Sequence, residues 1–235
     1  MKRKDGRKSH EQRDTKIITS YMPYADGSAL IKNGNTHVIC TATVEKNIPR
    51  WMKGSGRGWI TAEYSMLPGS TNTRTNRNNI NSGRTKEIQR LIGRSIRSAI
   101  DLAQIGENTL MIDCDVINAD GGTRTAAIIG SFIALNNAIR KLQSKKILSS
   151  NINIHPVAAI SVGLTENNII LDLNYEEDSK AIADFNFVMD ENQNIIEVQG
   201  TGESGKFTQS QLMKAVDMAS IAIKDIINIQ KKYLD

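Results

Sequence analysis

The residues with the clearest potential for chemistry stand in one run, Asp120-Gly121-Gly122-Thr123-Arg124-Thr125, between a strand-like and a helix-like pattern. Two glycines let a ligand approach the backbone closely, because no Cβ atom stands in the way. The N–H groups and positive dipole end of a starting helix bind anions. Thr123 adds a hydroxyl donor, and Arg124 adds a planar guanidinium that suits phosphate. The run indicates a phosphate-binding loop, with an ordinary strand-to-helix turn and a solvated arginine as an equal alternative.

A second candidate anion site lies at Gly83-Arg84-Thr85, ahead of another helix-like pattern. Because Arg84 stands at the start of the helix rather than along its side, it and Arg124 would reach a single phosphate. Further along, basic residues recur at helical spacing and form one stripe. They are Lys86, Arg90, Arg94 and Arg97. A solvated charged face is the more common explanation of such a stripe, and contact of Arg90 and Arg94 with RNA is the functional one.

The segment 68–83 contains almost nothing that a protein core would bury, so we expect a long mobile loop. It carries Arg74 and Arg77, and Arg57 lies upstream in the glycine-rich run 54–58. Flexible cations with few carboxylates nearby suit a phosphodiester backbone. We therefore interpret Arg57, Arg74 and Arg77 as RNA-binding residues, with contact to another partner and an inert loop as alternatives.

Carboxylates gather after the strand-like run that ends at Leu173. Glu176, Glu177 and Asp178 are consecutive, and Asp184 follows shortly afterwards. Paired carboxylates suit Mg²⁺, which prefers oxygen ligands and stays partly hydrated. In phosphoryl transfer such an ion offsets charge on the transferring group and the leaving oxygen. A solvated acidic turn is the more common explanation of such a run, so the spacing leaves both interpretations open.

The elements that must position these residues follow from periodicity and turn signals. Apolar residues on both sides of Asn33-Gly34-Asn35 predict a β-hairpin over 29–44. Apolar spacing predicts helices at about 85–104, 123–142 and 208–230, and strands at about 109–117, 157–165, 168–173, 184–189 and 194–199. Residues 1–16 are polar and basic, so we expect an arm or a loosely held start. With no linker and no internal repeat, the sequence predicts one α+β domain.

Composition limits the classes of function. The chain has 235 residues, of which 39% are hydrophobic, enough for a substantial core. A net charge of +5 and a pI near 9.2 favour an acidic partner such as nucleic acid. Cys40 and Cys114 lack paired spacing, which favours buried thiols over a zinc site. Without a secretory signal or an apolar stretch of membrane length, the sequence predicts a soluble, cytoplasmic protein.

One glycine-rich run, 200–207, satisfies GxGxxG and nearly satisfies the P-loop pattern. The P-loop needs Ser or Thr after its lysine to bind Mg²⁺, whereas Phe207 follows Lys206. A dinucleotide-binding fold needs further parallel strands, and only one more helix follows. The sequence predicts a turn here.

Five longer blocks of the sequence resemble the bacterial ribonuclease PH family. They read GRGWITAEYSMLP at 56–68, GRTKEIQRLIGR at 83–94, DCDVINADGGTRTA at 113–126, LDLNYEEDS at 171–179 and IEVQGTGE at 196–203. The blocks occur in the family's order and span nearly the whole chain. The resemblance implies a ribonuclease PH fold, a β-α-β-α arrangement related to domain 2 of ribosomal protein S5, in a single catalytic domain over 1–235.

The resemblance also implies an activity, that of a phosphorolytic 3′→5′ exoribonuclease and nucleotidyltransferase. Inorganic phosphate attacks the terminal phosphodiester of a precursor tRNA, or of another structured RNA 3′ end, and a nucleoside diphosphate is released. The reaction also runs backwards as nucleotide addition. Mg²⁺ is the expected cofactor, and the implied assembly is a homohexameric ring of three dimers.

Site residues carry over from the family at matching positions. The phosphate-binding positions are Arg84, Gly122, Thr123 and Arg124. Asp178 and Asp184 match the two catalytic carboxylates and are expected to hold Mg²⁺. Protonation of the leaving 3′-oxygen is an alternative role for Asp184, and the sequence leaves both roles open.

The RNA-binding positions carry over with one departure. Arg74 and Arg77 match loop arginines associated with tRNA binding, whereas Gly69 stands where many relatives have another arginine, so tRNA contact there is expected to be weaker or displaced. Two alternative functions remain. A catalytically silent RNA-binding subunit of an exosome-like ring would share the fold but is expected to lack some phosphate or carboxylate residues. A metal-assisted hydrolase would use water in place of phosphate.

Overall fold

The computed structural model describes residues 3–149, 151–166 and 168–234, except for the side chain of Ile80, and this part of the chain forms two β-sheets and four α-helices. The first sheet contains β1 (Thr15–Thr19), β2 (Gly27–Asn33), β3 (Thr36–Glu45), β4 (Trp59–Met66) and β5 (Thr109–Asn118). Its strand order is β1-β2-β3-β5-β4, in which β4 and β5 are parallel and the other neighbours antiparallel. The second sheet contains β6 (Val157–Leu164), β7 (Ile169–Leu171), β8 (Ala183–Asp190) and β9 (Ile195–Gly202). It is antiparallel, with the order β7-β6-β8-β9.

The helices connect and cover these sheets. They are α1 (Gly83–Arg97), α2 (Thr123–Ser144), the single-turn α3 (Tyr175–Asp178) and α4 (Gln209–Lys231). Helix α2 packs against β2 and β3 of the first sheet and against β6 of the second, whereas α1 packs on β4 and α4 on β6 and β8. One hydrophobic cluster therefore extends through both sheets.

Helix α2 is buried on nearly all sides. The consecutive residues Ala126, Ala127, Ile128 and Ile129 point in four directions around the helix axis and are all buried. A helix that is apolar around its whole circumference belongs in a core. At Gly130 a Cβ atom would lie 2.6 Å from Cys40 Sγ, so the absence of a side chain allows α2 to approach β3. Cys40 and Cys114 are free and buried, as predicted.

The predicted hairpin is confirmed. β2 and β3 pair antiparallel and close with Asn33 opposite Thr36, and Gly34 in the turn has φ of +55°. The alternation in β5 is confirmed as well. Ile112, Cys114 and Val116 are buried, and the intervening Asp113 and Asp115 are half-buried on the other face.

The prediction for α1 was wrong at its C-terminal end. The helix ends at Arg97 rather than near 104, with Ser98 as its C-cap. Ile100 then forms an isolated β-bridge with Ile154, and the Asp101 side chain caps a separate 3₁₀ turn. Extended backbone at Ile100 is incompatible with a continuing helix. The sequence patterns also did not predict β1, β4 or α3.

The interpretation of residues 1–16 as an arm or loosely held start was wrong over the described residues. Arg3 and Arg13 are each only 8% exposed, and β1 already begins at Thr15. Arg3 Nε donates a 2.6 Å hydrogen bond to Glu177, and Arg13 forms a salt bridge with the buried Asp172. Burial of an arginine is favourable only when a carboxylate and carbonyl groups satisfy it, and these partners come from the other end of the chain.

The segment 68–83 contains more local structure than predicted. A 3₁₀ helix spans Arg77–Asn81, Asn76 caps it, and α1 starts at Gly83. Its mobility stays a prediction. The run 200–207 is the end of β9 followed by a turn, as predicted, and α4 starts after it. Among the described residues, none of the helices has the length and apolar character needed to cross a membrane.

Candidate active site

The loop 120–122, called the glycine loop below, joins β5 to α2 as predicted. Gly121 and Gly122 have φ of +71° and +63°, a conformation that glycine adopts without strain. A Cβ atom at Gly121 would lie 2.4 Å from the carbonyl oxygen of Leu173. Gly122 is the N-cap of α2 and has no side chain that would occupy the first N–H groups. The start of α2 therefore offers these donors and its positive dipole end to an anion.

Thr123, the first residue of α2, is held by Tyr64 of β4. The Tyr64 hydroxyl donates a 2.8 Å hydrogen bond to Thr123 Oγ1, so the hydrogen of Thr123 remains available for a ligand. Burial raises the pKa of Tyr64, while the Thr123 hydrogen bond and the charges of Arg84 and Arg124 act against that rise. The positive charges of Arg84 and Arg124 therefore reach the hydroxyl of Tyr64, which contacts Thr123. The sequence patterns did not single out Tyr64, although its block was among those that resemble the family.

Arg84 is the second residue of α1. Ser82 caps this helix, because Ser82 Oγ accepts a 3.2 Å hydrogen bond from the backbone N–H of Thr85. Arg84 is exposed, and its charge acts to lower the pKa of Asp178. The charge of Arg124 also acts to lower the pKa of Asp178. The N-termini of α1 and α2 therefore present their arginines to a common region, which is the arrangement expected for two arginines on one phosphate.

Arg124 is fixed by neighbouring side chains from α1 and β9. Its Nη1 donates 3.1 Å hydrogen bonds to Glu87 Oε1 and to Gln199 Oε1. Gln199 Nε2 in turn donates to Glu197 at 3.4 Å. Because both contacts of Arg124 use one nitrogen, the guanidinium retains further N–H donors for a ligand. Glu87 and Gln199 are therefore orienting partners that the sequence patterns did not predict, although both lie in blocks that resemble the family.

The two predicted carboxylates come together in the fold. Asp178 ends α3, and Asp184 is the second residue of β8. Burial raises the pKa of both side chains, repulsion from Asp178 adds to the rise at Asp184, and the positive charge of Arg124 acts in the opposite direction on both. Asp184 Oδ1 is buried without a hydrogen-bond partner among the described residues. A buried oxygen of this kind indicates a site for a proton or a cation.

Glu203, in the turn after β9, adds negative charge to this region and raises the pKa of Asp178 and Asp184. Even so, the described part of the chain contains no group of three His, Cys, Asp or Glu side chains placed to hold a metal ion. Two carboxylates alone match an ion that keeps water or substrate oxygens as its remaining ligands, as Mg²⁺ does.

The predicted RNA-binding arginines fall into two groups. Arg57, Arg74, Arg77 and Arg90 are exposed. Arg94 is engaged with Glu197, to which its Nε donates a 2.7 Å hydrogen bond. Arg97, at the end of the basic stripe, lies 4.4 Å from the ring centroid of Trp59. The stripe is therefore not a uniform solvated face, and while Arg94 stays paired with Glu197 only its Nη1 group is left to contact RNA.

Comparison with known proteins assigns the family. Residues 11–141 match the model of the 3′ exoribonuclease family, domain 1, and residues 155–222 match domain 2. A protein named ribonuclease PH from Corynebacterium kroppenstedtii is 48% identical, covering 99% of this chain and 92% of that relative. The chain belongs to the ribonuclease PH family. A ribonuclease PH from Corynebacterium glutamicum is also 48% identical, over 98% of this chain and 95% of its own length.

Solved structures with the ribonuclease PH fold confirm the predicted α+β fold class. The rice (Oryza sativa) Rrp46 crystal structure superposes with a TM-score of 0.80 at 20% identity, covering 99% of this chain and all of that one. The Archaeoglobus fulgidus exosome with RNA bound to the active site superposes with a TM-score of 0.84 at 20% identity, covering 99% of this chain and 92% of that one. At this level of identity the likeness concerns the fold.

In this member of the ribonuclease PH family, the blocks that carried the resemblance meet at one place. Each block contributes at least one side chain to the region around the start of α2. In chain order they are Tyr64, Arg84, Thr123 and Arg124, Asp178, and Gln199. Asp184 joins them from β8, between the last two blocks.

Proposed function

We propose that this chain shortens RNA from its 3′ end by phosphorolysis, with inorganic phosphate as the attacking group and a nucleoside diphosphate as the product. The observation that carries the proposal is the shared location of an anion site and two carboxylates. The positive charges of Arg84 and Arg124 both act to lower the pKa of Asp178, so both lie near this carboxylate, and the first turn of α2 adds N–H donors. A hydrolase would use the carboxylates and donors for the scissile phosphate, but it would need no second anion site for its attacking group, because water carries no charge.

Phosphate binding is the task of the N-termini of α1 and α2. Arg84 and Arg124 supply charged donors, and Thr123 supplies its hydroxyl hydrogen because Thr123 Oγ1 already accepts from Tyr64. Holding phosphate in line with the scissile bond removes the entropic cost of a separate encounter at the reaction step. The same donors stabilise the charge that grows on the transferring group.

The bond changes follow from this placement. A phosphate oxygen forms the new bond to the phosphorus of the terminal nucleotide, and the bond from that phosphorus to the preceding 3′-oxygen breaks. The 3′-oxygen takes up a proton and becomes the new RNA end. The terminal nucleotide leaves as a diphosphate, and the reverse sequence adds a nucleotide.

Asp178 and Asp184 are the residues that would hold Mg²⁺. They fit this ion because Asp184 Oδ1 is buried without a hydrogen-bond partner among the described residues and because the two carboxylates repel each other. When bound, Mg²⁺ offsets negative charge on the phosphoryl group. The raised pKa of Asp184 also suits protonation of the leaving 3′-oxygen, so proton donation is the alternative role of this residue.

Precursor tRNA with a 3′ extension is the proposed substrate, together with other structured RNA 3′ ends. The exposed arginines at 57, 74, 77 and 90 and the net charge of +5 support binding of a polyanion. A Cβ atom at Gly69 would meet no atom within 4 Å, so the fold leaves room there for the arginine that relatives carry. We further propose a homohexameric ring of three dimers, a cytoplasmic location and one catalytic unit over 1–235.

The decisive experiment uses purified protein, Mg²⁺ and a tRNA with a short 3′ extension, with and without inorganic phosphate. The released nucleotides are identified by chromatography. Nucleoside diphosphates that appear only with phosphate support the proposal. Monophosphates released without phosphate would make the protein a hydrolase, and no release in either condition would favour the silent RNA-binding subunit.

We expect Arg84→Ala to raise the KM for phosphate about 10- to 100-fold, because a hydrogen bond to a charged group contributes about 1.5–3 kcal/mol. The KM for phosphate of Arg84→Lys should lie between those of Arg84→Ala and the wild type, since lysine keeps the charge but not the guanidinium. Lys86→Ala, an exposed change on the same helix, is the control. An unchanged phosphate dependence in Arg84→Ala would remove Arg84 from the site.

We expect Tyr64→Phe to raise the KM for phosphate roughly 2- to 10-fold, in line with a neutral hydrogen bond of about 0.5–1.5 kcal/mol. The change leaves Thr123 free to rotate and to use its hydrogen elsewhere. Steady-state kinetics at varied phosphate and saturating RNA measure the effect. A variant with lower stability but wild-type phosphate KM would show that Tyr64 serves packing alone.

A further inference from the structure

Arg13 holds the glycine loop in place, although it belongs to the segment that the sequence pattern predicted to be a loose arm. Arg13 Nη1 donates a 2.6 Å hydrogen bond to the carbonyl oxygen of Asp120. Arg13 Nη2 donates to the carbonyl oxygens of Gly121, at 3.4 Å, and of Leu173, at 3.2 Å. Leu173 lies just before α3, which ends at Asp178. One guanidinium therefore connects the phosphate-binding and carboxylate halves of the site.

Asp172 fixes the orientation of this guanidinium. It is fully buried, and its carboxylate accepts from Arg13 Nη2 at 2.7 Å, from Nε at 2.9 Å and from the backbone N–H at 2.7 Å. The backbone of Asp172 has φ of +51°, which a residue other than glycine keeps only where its surroundings impose it. The side chain of Arg13 is therefore held in one orientation, with its carbonyl partners.

The direction of the carbonyl groups decides what the glycine loop presents to an anion. In a planar trans peptide the N–H points opposite to the C=O. Because the carbonyls of Asp120 and Gly121 point towards Arg13, the N–H groups of Gly121 and Gly122 point away from it. The Thr36 hydroxyl adds a 2.6 Å hydrogen bond to the Gly121 carbonyl and favours the same orientation. A flipped peptide would turn a partially negative oxygen in the opposite direction.

We propose that Arg13 is a positioning residue for phosphate, which keeps the carbonyl oxygens of the glycine loop turned away from the anion and the N–H groups turned towards it. The inference rests on the proposed function, because it assigns a role in phosphate binding. Arg13 does not touch phosphate itself. It acts through the orientation of two peptide groups and through its shared hold on Leu173.

Arg13→Lys separates this role from that of the buried charge. Lysine keeps a positive charge opposite Asp172, but one nitrogen does not reproduce the fork that reaches three carbonyl oxygens and both carboxylate oxygens. We expect the KM for phosphate to rise about 10-fold, the loss expected when one hydrogen bond to a charged group is weakened, while the KM for RNA stays within about twofold. Isothermal titration with inorganic phosphate in the absence of RNA should show the same loss.

Two further variants keep the test decisive. Ile226→Val removes one methyl group from a buried position on α4, away from the site, and serves as the control for lost stability. Thr36→Val leaves the Arg13–Asp172 pair intact but removes the hydroxyl that donates to the Gly121 carbonyl. The same hydroxyl accepts from Arg13 Nη1 at 3.4 Å and from the Asp120 backbone N–H at 3.1 Å, so the variant weakens the hold of Arg13 on the glycine loop. If Arg13→Lys does not fold, a rise in phosphate KM of Thr36→Val supports the inference and an unchanged KM overturns it.

The outcomes also distinguish this inference from the proposed function. Phosphate-dependent release of diphosphates by the wild type, together with a wild-type phosphate KM in a folded Arg13→Lys, overturns the positioning role and leaves the function standing. A wild type that binds no phosphate and releases no diphosphates overturns both. A selective loss of phosphate affinity in Arg13→Lys, without the same loss in Ile226→Val, supports the inference.

Discussion

Asp184→Asn is expected to lower kcat for phosphorolysis roughly 10²- to 10⁴-fold, with little change in the KM for phosphate. The substitution keeps the shape of the side chain but removes the charge that would hold Mg²⁺ and the proton that would reach the leaving oxygen. Asp178→Asn should also lower kcat strongly, because the carboxylate of Asp178 lies near enough to Asp184 to raise its pKa and would hold the same Mg²⁺ ion. Single-turnover rates with an extended tRNA measure the chemical step.

Asp190→Asn is the matched control for this prediction. Asp190 is at the opposite end of β8 and accepts hydrogen bonds from the turn that follows, at Asn192 and Asn194. The control should keep near wild-type kcat. Near-normal turnover in both Asp178→Asn and Asp184→Asn would contradict the catalytic role of the pair.

The pH profile separates the two roles of Asp184. Burial and the charge of Asp178 raise its pKa above the ordinary value of 3.8. A carboxylate that holds Mg²⁺ must be ionised, so the rate would fall as pH drops through the raised pKa. A carboxyl group that donates a proton must be protonated, so the rate would fall as pH rises through the same value. Because the charge of Asp178 raises the pKa of Asp184, a pKa read from the rate profile is assigned to the two carboxylates together.

Asp172→Asn is expected to lower the free energy of unfolding at pH 7 by about 3–5 kcal/mol, because it removes the carboxylate that forms the salt bridge with the buried Arg13. Asparagine tolerates the positive φ of this position, so the backbone conformation is not the cause of the loss. For a chain of this size such a loss corresponds to a decrease in Tm of roughly 6–20 °C. Urea unfolding followed by circular dichroism measures it.

The pH dependence of this loss has a definite sign. Burial acts to raise the pKa of Asp172, but the hydrogen bonds and charge of Arg13 outweigh it and hold the pKa below the ordinary value of 3.8. A lowered carboxyl pKa contributes stability above the ordinary value, and this contribution is lost as pH falls through the lowered value. The difference in free energy of unfolding between the wild type and Asp172→Asn should therefore be constant near neutral pH and should become smaller below about pH 4.

Asp14→Asn is the control for Asp172→Asn, since it breaks an exposed pair with Lys16. The side chains of this pair are 74% and 71% exposed, so we expect a change of about 0–1 kcal/mol. Equal stability losses in the two variants would contradict the special importance of the buried pair.

Several elements could be predicted from sequence because their causes are local. Gly34 supplies the positive φ of the hairpin turn between Asn33 and Thr36, and the β2–β3 register follows from it. The apolar spacing of α2 and α4 placed both helices nearly at their observed starts. The glycine loop was recognisable for the same reason, since two consecutive glycines between a strand pattern and a helix pattern indicate a tight turn with an accessible backbone. The chemical types of Arg84, Arg124, Asp178 and Asp184 were likewise visible in the sequence.

Other features depended on partners far along the chain. The contact between Tyr64 and Thr123 spans 59 residues, and that between Arg13 and Asp172 spans 159. The helix α1 ended early because Ile100 pairs with Ile154, a contact that the apolar pattern does not contain.

The sequence by itself determined the local elements and the chemical groups of this protein, namely a glycine loop before a helix, two helix-start arginines and two carboxylates. Only the tertiary structure decided how these groups are oriented and that Arg3 and Arg13 of the basic N-terminal segment are buried. The physical reason is that an arginine is polar and solvated on its own and becomes a buried structural residue only where the fold brings a carboxylate and carbonyl groups around it. Local sequence carries the charge of Arg13, whereas its burial is a property of the whole fold.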